Sequence, residues 1–236
     1  MQTESYNRIA NEYYEPRHIT SRNFDAATES ACANRDFPIP KNGLVLEVGA
    51  GKGSAKKYCK VENSRIVQTD LAEDMLALSP REDFLLALRC DALDMPFISS
   101  SFSTVLAFLY DPFNLPPFYF EISRVLKPGG IFVGTLPHFK WGLTLRKKIG
   151  YPLHKTKFKL FQSVDEEYIE LDSFLMDDQE ITQTLSDAGL ATLELIDLML
   201  PESVKNISPH IVIPADVLEI TPYELPIVKL IIARKL

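Results

Sequence analysis

The chain has 236 residues, 46% of them hydrophobic, and a formal net charge of −7 at neutral pH. That length can bury the core of a single α/β domain, and the negative charge makes the whole surface a poor binder of polyanions such as nucleic acid. The sequence has no N-terminal basic segment followed by an apolar one, and no apolar run approaches the roughly 18 residues of a membrane span. Composition therefore predicts a cytoplasmic protein that does not associate with membranes.

The three cysteines of the chain, Cys32, Cys59 and Cys90, lie far apart in the sequence. Their number is odd, and their separation fits no common metal-ligand spacing. We therefore expect three reduced, mostly buried thiols and no metal site.

An amphipathic segment lies near the start of the chain. Tyr6, Ile9, Ala10 and Tyr13 place apolar or aromatic side chains at helical spacing. We expect residues 1–40 to form a helical cover.

The most informative segment is residues 44–53, which read LVLEVGAGKG. Branched apolar residues that break into alternating glycines predict a buried strand ending in a tight turn. Gly49, Gly51 and Gly53 lack Cβ atoms, so a ligand can lie against bare backbone there. Residues 54–58 can begin a helix whose free N–H groups face the same point. The alternative is a glycine turn that binds nothing.

The spacing of this loop separates it from two common nucleotide motifs. In a dinucleotide fingerprint the third glycine would stand at Ser54, one residue later than Gly53. A phosphate-binding loop requires its first glycine six residues before the lysine, and Leu46 stands at that distance from Lys52, with Glu47 next to it. Glu47 also disfavours an anion and favours a ligand with an ammonium or sulfonium centre.

Two further acids follow the next two predicted strands, residues 65–70 and 84–89. Asp70 ends the first strand, where it can accept hydrogen bonds from ribose hydroxyls. Leu71 and Met75 offer apolar surface for an adenine, and Asp91 stands where an exocyclic amine could be read. Each acid alone is also compatible with a solvated loop carboxylate or a helix cap.

The remaining elements alternate between apolar runs and helical patterns. This alternation predicts an α/β protein with a doubly wound, mainly parallel sheet. The predicted elements are a strand at 104–109, a helix at 117–126, a strand at 131–136, a helix at 178–188, and strands at 192–200 and 226–234.

From about residue 44 to 136 the motifs resemble, in order and spacing, the class I S-adenosylmethionine-dependent methyltransferases. They are most similar to the small-molecule branch typified by ubiquinone and menaquinone biosynthesis enzymes. The similar segments are residues 45–53, 69–76, 90–97, 101–102 and 121–130. The resemblance implies a seven-stranded Rossmann-like methyltransferase fold whose last strand is antiparallel. It also implies S-adenosyl-L-methionine as cofactor and S-adenosyl-L-homocysteine as product.

The resemblance assigns a set of residues to the cofactor. By the same resemblance, Tyr14 and Arg17 reach the methionine carboxylate, although their helix could instead simply pack on the sheet. The other assigned residues are Glu47, Gly49, Ala50, Gly51, Gly53, Asp70, Leu71, Met75, Asp91 and Ala92.

We expect one methyltransferase domain over residues 1–236, with a cofactor-binding core at 41–136. The segments 137–180 and 201–226 are predicted substrate-lid insertions, and the second contains five prolines. Residues 138–159 hold seven lysines and arginines and no acid, whereas residues 165–187 hold nine acids and no lysine or arginine. The two runs are compatible with a solvated or internally paired lid, with capture of an anionic substrate, or with a polyanion site.

Two residues after predicted strands are candidate bases for the reaction, His138 and Asp111, because open α/β sheets build their sites at the carboxyl ends of strands. A loop histidine and a turn-forming Asp-Pro are the alternatives. We expect methyl transfer to oxygen, nitrogen or carbon of a small molecule, with an anionic or an aromatic acceptor among the candidates. The alternatives are methylation of a nucleic acid or protein, and a catalytically silent cofactor-binding partner subunit. The sequence leaves the oligomeric state open.

Overall fold

The computed structural model describes residues 2–33, 35–151, 156–162 and 168–236. The strands within these ranges are β1 (Leu44–Val48), β2 (Ile66–Asp70), β3 (Leu86–Arg89), β4 (Phe102–Phe108), β5 (Leu126–Pro137), β6 (Thr156–Gln162), β7 (Tyr168–Ser173), β8 (Leu190–Met199) and β9 (Pro226–Lys235). The helices are α1 (Gln2–Tyr13), α2 (Ile19–Cys32), α3 (Ala55–Cys59), α4 (Glu73–Leu76), α5 (Pro116–Val125), α6 (Phe139–Ile149), α7 (Asp178–Asp187) and α8 (Pro209–Val217).

Seven strands form the central sheet in the order β3-β2-β1-β4-β5-β9-β8. The first five are parallel, and β9 is inserted antiparallel between β5 and β8. The predicted fold class, a doubly wound, mainly parallel seven-stranded sheet, is confirmed. The chain order reverses between β1 and β4, and ligands of open α/β sheets bind at such a switch point.

Helices cover both faces of the sheet, which explains why its strands read as continuous apolar runs. On one face, α5 and α7 contribute Phe118, Ile122 and Leu185 to the core. On the other face, α2, α6 and α8 contribute side chains such as Phe24 and Trp141. The site therefore lies on a rigid, closely packed support.

The two segments predicted as lids differ in their placement. Within 137–180, α6 and the antiparallel pair β6 and β7 were not predicted as elements, and residues after β7 reach the cavity described below. Segment 201–226 forms α8 and packs against α2 and α6, with the Trp141 indole N–H donating to the His210 carbonyl at 2.8 Å. None of its residues lines either of the two cavities described below, so the geometry does not support a lid role there.

Helix α1 packs against α4 and β7 through its apolar face. Ile9 contacts the apolar cluster that contains Leu171, and Ala10 packs with Ala72 and Met75. The amphipathic spacing of the sequence therefore corresponds to a helix that covers the carboxyl ends of β2 and β4.

Candidate functional site

The glycine loop after β1 is anchored from below by Glu47. Its Oε1 accepts hydrogen bonds from the backbone N–H groups of Ser54, at 2.6 Å, and Ala55, at 2.8 Å. Its Oε2 accepts from the Gln68 amide at 3.0 Å. Burial raises the pKa of Glu47 and these three bonds oppose that effect. Glu47 thus caps α3 beneath the loop and does not line the cavity, contrary to its predicted contact with a cationic ligand.

The loop glycines have different roles. Gly51 has a positive φ of 52°, and a Cβ on it would lie 2.1 Å from the Tyr14 hydroxyl oxygen. A Cβ on Gly53 would lie 2.6 Å from the Gln68 amide nitrogen, so this glycine allows the loop to pack on β2 and does not line the cavity. Gly49 lines the cavity, where the Phe113 ring lies against its bare face.

Asp70 connects the glycine loop to the turn after β2. Its Oδ2 accepts from the Gly51 N–H and its Oδ1 from the Ala72 N–H, each at 2.9 Å. Burial raises the pKa of Asp70, and these backbone N–H donors oppose the rise. The carboxylate is therefore held at the point where the loop meets the cavity.

A cavity of about 290 Å³, the main cavity, opens over the switch point. Most of the predicted cofactor residues meet there. They are Tyr14, Gly49, Ala50, Gly51, Asp70, Leu71, Met75, Asp91 and Ala92. The predicted residues that the structure leaves outside it are Glu47, Gly53 and Arg17.

Arg17 lies outside because it is paired with acids of its own turn. Its guanidinium contacts Glu12 at 2.5 Å and Glu15 at 2.8 Å, and its side chain is 41% exposed. One turn further on, Arg22 lines the main cavity and pairs with Asp25 at 2.7 Å.

Helix α2 thus supplies cavity residues that the sequence-based assignment missed. The sequence signal was a polar stripe at helical spacing, Ser21, Asp25 and Thr28, which all line the main cavity. Tyr58 donates its hydroxyl hydrogen to Asp25 at 2.9 Å, which fixes that carboxylate.

Tyrosines of α1, and Tyr14 directly after it, line the main cavity. Tyr6 and Tyr13 line it together with Tyr14, whose hydroxyl oxygen accepts from the Lys52 N–H at 3.1 Å. The Lys52 ammonium lies 4.2 Å from the centre of the Tyr14 ring, a cation–π contact. Burial raises the pKa of each of these three tyrosines, so their hydroxyl groups stay protonated at neutral pH.

A smaller cavity of about 40 Å³, the recess, adjoins the main cavity and shares with it residues of α1 and α2 and Leu109, which follows β4. Asp111 lines it, opposite Arg146 of α6 and Ser173 of β7. Burial raises the pKa of Asp111 to about 7, against a hydrogen bond from the Ser173 side chain and the charge of Arg146. A carboxyl group with this pKa can accept or release a proton near neutrality.

His138, the other candidate base, lines neither cavity. Its Nδ1 accepts from the Lys140 N–H at 3.2 Å and so caps α6. Its Nε2 lies 3.2 Å from Asp197, which also pairs with Lys229, and Lys229 contacts Asp178 at 2.8 Å. Burial lowers the pKa of His138. The geometry does not support the catalytic role predicted for His138, because its ring nitrogens are used within this network and it lines neither cavity.

The basic run separates into different environments. Arg146 is only 2% exposed, whereas Lys147 and Lys148 are exposed and line neither cavity. In the acidic run, Asp177 forms a capping box with Glu180 at the start of α7. The pairing predicted between residues 152–159 and 165–170 lies outside the side chains that the structure describes.

The described residues include no helix with the length and apolar character needed to cross a membrane. Within the same ranges, no three or more His, Cys, Asp or Glu side chains are grouped to hold a metal ion. The three cysteines are free thiols, and burial raises the pKa of Cys32 to about 11.

Residues 46–134, which run from β1 into β5 and include the glycine loop, match the methyltransferase domain family. The sheet order and the glycine loop agree with this match, which covers much of the part of the chain that surrounds the main cavity. The finer resemblance to ubiquinone and menaquinone biosynthesis enzymes stays a prediction.

Individual relatives match only part of this chain, and at low sequence identity. Human mitochondrial arginine-hydroxylase NDUFAF5 is 30% identical over 112 residues, which make up 45% of this chain and 32% of the relative. The chain thus spans about a third of that relative's length, and the different reaction in its name is not carried over to this chain.

Solved structures support the fold. A chain of the complex between the Haloferax volcanii Trm112 methyltransferase activator and a methyltransferase aligns with TM-score 0.67 and 16% identity, covering 97% of this chain and 96% of that chain. An S-adenosylmethionine-dependent methyltransferase structure from Listeria monocytogenes aligns with TM-score 0.65 and 18% identity, covering 90% and 99%. At these identities the likeness shows the fold alone.

Proposed function

We propose that this protein transfers a methyl group from S-adenosylmethionine to a neutral hydroxyl or amine of a small molecule, with Asp111 as the general base. The observation that carries the proposal is the position of Asp111. It is a buried carboxyl group, with a pKa of about 7, in a recess beside the cavity of the glycine loop.

The chemistry of the main cavity fits the cofactor. We assign Asp70 to the ribose hydroxyls, Met75 to one face of the adenine and Asp91 to its exocyclic amine, since all three line the cavity. We assign the methionine carboxylate to Arg22 and the ammonium group to Asp25, in place of the predicted Arg17. When bound, S-adenosylmethionine supplies a methyl group that its sulfonium charge has already activated.

The charges around the cavities favour a neutral acceptor over the anionic one that the basic run left open. Arg146, the cation of that run that lines the recess, faces Asp111, so the two charges offset each other. The charged side chains that line the described part of the main cavity are four carboxylates and one guanidinium, Asp25, Asp70, Asp91, Asp172 and Arg22. Such a surface repels an anion and attracts a cationic cofactor.

The small size of the recess limits what can enter it. A cavity of about 40 Å³ admits a hydroxyl or amino group but not the body of an organic molecule, since one water needs ~10–15 Å³ on this measure. The body of the acceptor would lie in the main cavity. Asp111 would then accept the acceptor's proton at a carboxylate oxygen, while Tyr6 and Tyr13 exclude water.

The test replaces Asp111 with Asn, which keeps the shape of the side chain and removes the base. Turnover should fall about 10²–10⁴-fold, the range of general base catalysis, while calorimetric affinity for S-adenosylmethionine stays unchanged. The assay incubates protein, methyl-labelled cofactor and fractionated cell extract, and identifies the labelled product. His138→Asn is the control: asparagine can also cap a helix, and its turnover should stay within about threefold because His138 lines neither cavity.

The same assay separates the other hypotheses. Label in RNA or protein would indicate a macromolecular acceptor, and a gel-shift with bulk tRNA would check the first of these. Saturable cofactor binding without any labelled product would indicate a silent partner subunit. Equal losses in Asp111→Asn and His138→Asn would contradict the role of Asp111. The cytoplasmic location remains part of the proposal, to be checked by fractionation.

A further inference from the structure

We propose that Arg146 is the positioning residue of the recess, and that it acts on the Asp111 carboxylate both by charge and through Ser173. This inference rests on the proposed function, because it names the residue that keeps the base ready to accept a proton. Arg146 itself need not touch the acceptor.

Arg146 is buried inside the protein. It is 2% exposed and is the largest of the fully buried side chains. A guanidinium group removed from water is costly unless hydrogen bonds and an opposite charge compensate it. Its Nη2 donates to the Ser173 carbonyl at 2.8 Å, and Asp111 supplies the opposite charge.

The end of β7 connects the guanidinium of Arg146 with the carboxylate of Asp111. The carbonyl of Ser173 accepts from Arg146, and the side chain of the same residue hydrogen-bonds the Asp111 carboxylate. The next residue, Phe174, donates its N–H to the Asp111 carbonyl at 3.0 Å. A displacement of Arg146 would therefore be transmitted to the carboxylate through a single residue.

Helix α6 carries Arg146 on its buried face. Trp141, Gly142, Leu145 and Arg146 share its buried face, as expected for positions four residues apart. A Cβ on Gly142 would lie 2.8 Å from the Leu175 side chain. This close approach brings α6 against the segment that follows β7 and places Arg146 within reach of Ser173.

The electrostatic balance at Asp111 gives the consequence. In the described part of the chain, the titratable groups that face the Asp111 carboxyl are Arg146 of α6 and Tyr6 and Tyr13 of α1. The side chain of Ser173, on β7, forms a hydrogen bond with the same carboxyl. Burial favours the protonated carboxyl group, and Arg146 opposes this. Without that charge, Asp111 would hold its proton at neutral pH and could not act as a base.

The test needs no acceptor. In the full chain, the unfolding free energy is measured by urea denaturation from pH 5 to 9, with and without Asp111→Asn. The difference between the two isolates Asp111, and it should decrease as pH rises and level off near pH 7, because the folded carboxyl group binds its proton more tightly than the unfolded one. In Arg146→Gln the levelling should move up by at least one pH unit. Lys147→Gln, a neighbouring exposed charge, should leave it unchanged.

A second measurement covers an Arg146→Gln variant that does not fold. In the unaltered protein, the 15N resonance of the Arg146 guanidinium should titrate with the same midpoint as Asp111, and this titration should vanish in Asp111→Asn. An unshifted midpoint in Arg146→Gln, or an arginine resonance that does not follow Asp111, would overturn the proposal. Either result leaves the labelled-methyl assay of Asp111 standing as a separate test.

Discussion

At the scale of single residues, the surroundings of a carboxylate decide what it can do. Asp70 and Asp111 are both mostly buried, and burial raises the pKa of each. Asp70 accepts hydrogen bonds from backbone N–H groups, which favour its charged form and suit it to bind hydroxyl groups. At Asp111 burial outweighs the opposing hydrogen bond from the Ser173 side chain, the charge of Arg146 and a backbone hydrogen bond, so its pKa reaches about 7. The first environment suits binding and the second suits proton transfer.

Two arginines of the N-terminal region provide a matched comparison for cofactor binding. Arg22→Gln should weaken S-adenosylmethionine binding by about tenfold or more, because a charged hydrogen bond is worth ~1.5–3 kcal/mol. Arg17→Gln removes the same charge one turn away, outside the cavity, and should leave the calorimetric affinity unchanged. A weaker affinity in Arg17→Gln with normal binding in Arg22→Gln would restore the sequence-based assignment of the methionine carboxylate.

At the scale of elements, the parallel core could be predicted because its strands read as apolar runs, and because a glycine or an acid lies at or just after the ends of β1, β2 and β3. The structure shifts its boundaries by a few residues, as in β5, which extends over Leu126–Pro137 instead of 131–136. The charge of residues 138–159 did not separate the buried Arg146 from its exposed neighbours, because net charge hides which face of a helix a residue occupies. Its helical spacing from Trp141, Gly142 and Leu145 was the available signal. The exclusion of Glu47 and Gly53 from the cavity depends on loop packing, which a motif does not encode.

The docking of α1 on the glycine loop can be tested at Gly51. In Gly51→Ala the new Cβ would meet the Tyr14 hydroxyl at 2.1 Å, so the end of α1 must move away. Trypsin cleavage after Arg17 should become faster and cofactor affinity should fall. Adding Tyr14→Phe should reverse much of this, since the next ring atom is 3.5 Å from that Cβ.

The control for this test is Gly150→Ala. Gly150 also has a positive φ, of 73°, but a Cβ there would meet no atom of the described residues within 4 Å. It therefore reproduces the backbone strain of ~1–2 kcal/mol without the clash. Equal proteolysis in the two alanine variants would show that strain, and not the Tyr14 contact, governs the cover.

At the scale of the whole molecule, the sheet carries two charged groupings on different strands. The parallel half holds two acids of the main cavity, Asp70 at the end of β2 and Asp91 just after β3. The antiparallel half holds Lys229 on β9, which pairs with Asp178 at the start of α7 and with Asp197 on β8, next to His138 at the start of α6. This second grouping fixes the starting points of α6 and α7. Since α6 carries Arg146, the charged network of the antiparallel half helps to position Arg146 in the recess.

Replacing Lys229 tests whether this network stabilises the fold without affecting the cofactor cavity. Lys229→Met keeps the buried aliphatic stem and removes a charge that lowers the pKa of His138, so the His138 imidazole should titrate at higher pH by NMR. Because Asp178 and Asp197 are 58% and 49% exposed, solvent limits the loss to about 1 kcal/mol, or ~2–4 °C in Tm. Cofactor affinity should not change, because Lys229 does not line the main cavity. A large loss of cofactor binding at unchanged Tm would instead connect this network directly to the site.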